Sequence, residues 1–81
     1  MNFKQTVYWQ IYGDIFALHK KYAEPEGNDE FWSALISEAD KVYTKYRASP
    51  EGEFAKSLLL AVAAEVERNY RARILNENAT K

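Results

Sequence analysis

Two prolines, Pro25 and Pro50, divide the 81-residue chain into three stretches of similar length. Inside a helix proline removes a backbone donor and clashes with the preceding turn, so no helix runs through either position. Between these breaks the apolar residues recur with helical spacing, and no stretch alternates apolar and polar residues over the length of a strand. The chain is therefore expected to be all-α.

The first helix is expected over residues 3–22. At about 100° per residue, its apolar face runs from Val7, Leu18 and Ile11 through Tyr22, Ile15, Tyr8 and His19 to Tyr12, Phe16 and Trp9, an arc of about 200°. Two neighbouring helices cannot cover so wide an arc. One flank is left open, either Trp9 with Phe16 or Phe3 with Val7 and Leu18. The sequence Glu24-Pro25-Glu26-Gly27-Asn28 is turn chemistry and ends the helix.

The second helix is expected over residues 29–47, with Asn28 or Asp29 as N-cap and Lys45 and Arg47 in the last turn. Its stripe is narrower, about 120°, and contains Trp32, Leu35, Ile36, Ala39, Val42, Tyr43 and Tyr46. The third is expected over residues 50–76, with Ser49 as N-cap and Pro50 at the first helical position. Its apolar residues Leu58, Val62, Val66, Tyr70 and Ile74 are spaced by four, so this stripe drifts around the helix axis. Residues 77–81 are expected to fray.

Short links between amphipathic helices make neighbours antiparallel, which predicts a single domain over residues 1–81: an up-down-up three-helix bundle with a long C-terminal helix. The expected core is Ile11, Tyr12, Ile15, Trp32, Leu35, Ile36, Ala39, Val42, Leu58, Val62 and Val66. A mass of 9.4 kDa implies about 5,000 Å² of exposed surface once folded, enough burial for a marginal core.

Several functions find no support. There is no cysteine and His19 is the one histidine, which removes thiolate and histidine-cluster metal sites. The acidic group Glu24, Glu26, Asp29 and Glu30 lacks the ligand order of a calcium loop. Gly13, Gly27 and Gly52 are scattered, so no phosphate-cradling loop exists, and no nucleophile, base and oxyanion site occur together. His19 and Asp14 are about 140° apart on a helix, too far around to act as a pair. No enzyme, metal or cofactor is expected. The longest apolar run, Leu58 to Ala64, is too short to span a bilayer, and the first residues lack the apolar core of a signal peptide, so a cytoplasmic protein is expected without membrane partners.

What remains is surface. Aromatic residues make up 15% of the chain; most fall on the expected inner faces as packing volume, and what packing leaves over collects on the wide arc of the first helix and the far end of the third. Phe3, Trp9, Phe16, Tyr70, Ile74 and Leu75 are the candidate protein interface, since aromatics at an incompletely covered surface are the composition of such interfaces. The expected function is a small non-enzymatic helical module that binds a protein partner, a second copy of itself included, as a homodimer. The alternative is a nucleic-acid-binding or regulatory accessory protein using the basic surface of Arg68, Arg71 and Arg73. A net charge of -1 supplies little general attraction for phosphate, and Glu65 and Glu67 stand at the right spacing to pair with Arg68 and Arg71.

Overall fold

The computed structural model describes residues 2–79, with side chains to residue 76. A short 3₁₀ turn, Phe3–Gln5, precedes three helices: α1 (Val7–Lys21), α2 (Asp29–Tyr46) and α3 (Gly52–Ala79). No strand occurs among the described residues. Each helix packs on both others, as a three-helix bundle requires.

The register follows from side chains that meet. Asp14 and Lys21 of α1 face Lys45 and Glu38 of α2, so the two helices run in opposite directions. Trp32 of α2 meets Tyr70 of α3, and Tyr46 lies beside Gly52, which again reverses the chain. Tyr8 and Tyr12 pack on Phe54, so α1 and α3 run parallel. The topology is up-down-up.

All three helices turn a seam of the same spacing inward. The seams are Ile11, Ile15, Leu18 and Tyr22; Leu35, Ala39, Val42 and Tyr46; and Ala55, Leu59, Val62 and Val66, each stepping by four, three and four. That is the heptad rhythm of left-handed helix packing. The stripe expected on α3 is buried or half-buried at Leu58, Val62, Val66, Tyr70 and Ile74, but at its start the fully buried positions are Ala55 and Leu59, with Leu58 only partly so. Two residues expected in the core lie outside it: Tyr12 is 48% exposed and Ile36 is 68% exposed. Both sit one residue from a seam position (Ile11 and Leu35), and one step of about 100° turns them away from the buried seam. Tyr22 and Tyr46 are buried in their place.

The helix ends differ from the expected bounds for local reasons. The Asn2 side chain accepts from Lys4 N at 3.1 Å and the Thr6 hydroxyl donates to the Phe3 carbonyl at 2.6 Å. These short-range bonds compete with helix and leave Thr6 extended, so α1 proper starts at Val7. Asn28 caps α2 as expected, accepting from Phe31 N at 2.7 Å. Ser49, expected as the cap of α3, instead donates its hydroxyl to the Tyr46 carbonyl at 2.8 Å, and Pro50 lies in the turn before the helix. At the other end, residues 77–79 are helical rather than frayed, and Thr80 and Lys81 lie outside the described residues.

α3 is longer than its partners. Beyond Tyr70 it makes about six further residues of described surface, and none of residues 71–76 is buried. The radius of gyration is 14.9 Å, against about 11.7 Å for a compact chain of this length. The accessible surface is 6003 Å², about 1,000 Å² above the size-based expectation.

Candidate protein-docking surfaces

The break at Thr6 folds Phe3 back onto α1. Its ring stacks on Tyr8 with centroids 6.4 Å apart and meets Trp9 edge-on at 6.4 Å, while Tyr8 and Tyr12 both abut Phe54. Lys4 lies over the Trp9 ring, 5.6 Å from its centroid. This cluster holds the indole in place while leaving it 48% exposed.

Seven residues further along the same side of α1, Phe16 is 69% exposed. The structure thus leaves open the flank carrying Trp9 and Phe16 and buries Leu18. Between the two rings stands Gly13. A Cβ placed there would meet nothing within 4 Å, and the backbone has no positive φ that would call for glycine. Neither the fold nor the packing of this chain explains a glycine in mid-helix, which costs about 1 kcal/mol relative to alanine. It lies in a notch of about 320 Å³ bounded by Trp9, Tyr12 and Phe16. A second recess of about 340 Å³ continues from Phe16 past His19 and Lys20 to Ala23.

The electrostatics of this face are one-sided. Asp14, the one acid of α1, is held at the α2 side, accepting from Lys45 at 3.0 Å and from the Tyr46 hydroxyl. Lys4 and Lys20 therefore flank the aromatic strip with no acid on it. Burial pushes the Tyr46 hydroxyl's pKa up and the bond to Asp14 adds to the shift; the same carboxylate raises Lys45. His19 lies near Glu65 on α3 rather than Asp14, and Glu65 is held below the usual carboxylate range, mainly by Arg68 and slightly by His19.

A third recess, about 620 Å³, opens between α2 and α3, and no residue of α1 lines it. Ile36 and Leu60 form its exposed lips, and the small residues Ala63 and Ala64 line its α3 side. Neither lip is signalled by the sequence: Ile36 sits on the apolar stripe of α2, and Leu60 is hidden in the apolar run around it.

The six candidate interface residues do not form one patch. Phe3, Trp9 and Phe16 share the outer side of α1. Tyr70 stands at the other end of the bundle, its ring edge-to-face with Trp32 at 5.6 Å. Its hydroxyl lies where a Cβ on Gly27 would come within 2.5 Å. Tyr70 is thus a strut between α3 and the first loop, with half-buried Ile74 and exposed Leu75 beyond it. In the basic surface, Arg68 is bound to Glu65, and Arg71 to Glu67 at 2.6 Å. Arg73 is exposed.

Among the described residues, no group of three or more histidine, aspartate and glutamate side chains is placed to hold a metal ion. No described helix is long and apolar enough to cross a membrane. No protein-family model, curated protein or solved structure matches the chain.

Proposed function

We propose that this chain is a non-enzymatic, cytoplasmic docking module that binds a protein segment along the outer face of α1. The observation that carries this reading is Gly13: a helix-interior glycine with no packing or conformational reason inside the chain, set between the exposed rings of Trp9 and Phe16. A partner that approaches closely there would use the space the missing Cβ leaves open. Rings on either side of a notch suit an apolar side chain of the partner, and aromatic anchors around a small pocket are where interface energy concentrates. Lys4 and Lys20 flank the strip, so the fitting partner is an amphipathic segment with an apolar residue between acidic ones.

The test is a display library of amphipathic helical peptides selected on the wild-type chain and counter-selected on a Gly13→Ala variant. Surviving peptides are expected to carry a large apolar residue flanked by Asp or Glu and to lose binding at least tenfold to Trp9→Ala, roughly 1.4 kcal/mol or more. Peptides that bind wild type, Gly13→Ala and Trp9→Ala equally well would sink the proposal. For the basic end of α3, the ion pairs of Arg68 and Arg71 leave less charge for phosphate than the sequence offers, and nothing in the geometry favours nucleic acid over protein.

A further inference from the structure

The outward side of α3 carries Glu53, Lys56, Leu60, Ala64, Glu67 and Arg71, all exposed. At 100° per residue they fall in a strip only about 80° wide and about 27 Å long. Glu53 and Lys56 make no ion pair among the described residues.

The order of these residues is its own complement. Reflected about position 62, Glu53 exchanges with Arg71, Leu60 with Ala64, and Lys56 with the place next to Glu67, an offset of one residue or about 1.5 Å. Acid thus lies opposite base at both ends, and a large side chain lies opposite a small one in the middle. A two-fold interface requires a surface that complements itself in this way, because the same patch is used on both copies. A parallel arrangement would instead set Glu53 against Glu53 and Lys56 against Lys56.

We infer that a second copy of this chain seats on the groove between α2 and α3, antiparallel, with the two-fold axis crossing between the two α3 helices at the level of residue 62. Leu60, 62% exposed, enters the recess of about 620 Å³ between Ile36 and Ala64 of the other copy, and the exchange is mutual. Ala63 and Ala64 let the two α3 helices approach closely. Glu67, already beside Arg71 of its own helix, gains Lys56 of the second copy, and Arg71 gains Glu53. This surface is separate from the outer face of α1, and the inference stands whether or not that face docks a protein.

The experiment is sedimentation equilibrium of the full chain at low salt, with Leu60→Glu, Lys56→Glu, Glu67→Lys, the double charge exchange, and Trp9→Ala. Wild type is expected to dimerise, Leu60→Glu to raise the dissociation constant at least about tenfold, and each single charge change to weaken association while the double exchange restores it. Helical circular dichroism is expected to be unchanged throughout, since every substituted position is exposed. A wild-type monomer at about 1 mM, or a dimer indifferent to Leu60→Glu, overturns the inference. So does a double exchange that fails to rescue. A dimer lost in Trp9→Ala alone would place the second copy on α1 and overturn the inference while leaving α1 as a docking face.

Discussion

The Tyr46 hydroxyl, at the end of α2, donates to the Asp14 carboxylate in the middle of α1, joining residues 32 apart in sequence. The Tyr46 ring is buried and Lys45 binds the same oxygen of Asp14. Removing the hydroxyl while keeping the ring, in Tyr46→Phe, is expected to cost about 1–2 kcal/mol. For a chain of this size that lowers the melting temperature by roughly 5–15 °C, read by thermal circular dichroism.

The same residue governs the alkaline limb. Burial and the bond to Asp14 raise the Tyr46 pKa above its ordinary value near 10.0, so the unfolded chain ionises first as pH rises. This contribution is full below pH 10 and declines as pH climbs toward the folded-state value. Tyr22, buried beside Glu38 and Lys21, shifts in the same direction for the same main cause. Denaturant titrations from pH 9 to 11.5 are expected to show a shallower loss in Tyr46→Phe than in wild type, and equal slopes would contradict the assignment.

On the acid side the sign reverses. Glu38 is lowered by its hydrogen bond to Lys21, and Glu65 by Arg68, from an ordinary value of 4.5. Their contributions are present above pH 4.5 and lost as pH falls through the depressed values. Both pairs are largely exposed, so the effect is modest and salt-dependent. Glu38→Gln is expected to flatten the decline between pH 5 and 3 at low salt, with the difference from wild type fading in 1 M salt.

Two glycine-to-alanine changes are expected to have opposite signs. At Gly13 a Cβ meets open space, so alanine stabilises by about 0.5–1 kcal/mol. At buried Gly52 a Cβ would stand 2.9 Å from the Tyr46 carbonyl oxygen and 3.0 Å from Arg47 Cα, backbone atoms that cannot rotate aside. There alanine is expected to destabilise by about 1–3 kcal/mol despite its better helix propensity. Chemical denaturation of the two variants decides both.

Ile11 and Ile36 provide the contrast between seam and surface. Ile11 is fully buried, and Ile11→Ala is expected to cost about 2–5 kcal/mol. Ile36→Ala, at an exposed lip, is expected to stay within about 0.5 kcal/mol at concentrations where the chain is monomeric. Comparable losses at both positions would contradict the burial pattern described here.

The helices were legible because Pro25, Pro50 and the Asn28 cap are local signals that tertiary contacts did not overrule. The seams were less so. In a run such as Leu58-Leu59-Leu60-Ala61-Val62 every position is apolar, and only the neighbouring helices select Leu59 and Val62 over Leu58 and Leu60. Tyr12 and Ile36 were misplaced for the same reason, each adjacent to an equally apolar residue that won the inward position. Trp9 and Phe16 could be read as a surplus flank from the width of the α1 arc. The notch between them could not, because whether a helical glycine is filled by a neighbour depends on packing that a single sequence does not display.

The strut from Tyr70 to Gly27 gives the far end of α3 a hold on the first turn of the chain. A truncation placed just before residue 70 therefore does more than shorten an overhang. It removes the weight resting on the α1–α2 turn and on Trp32, opening the bundle at the end opposite Phe54. The minimal unit that closes on itself thus reaches past Tyr70, and proteolytic cuts in residues 23–28 and at residue 70 are expected to rise together as the chain is destabilised.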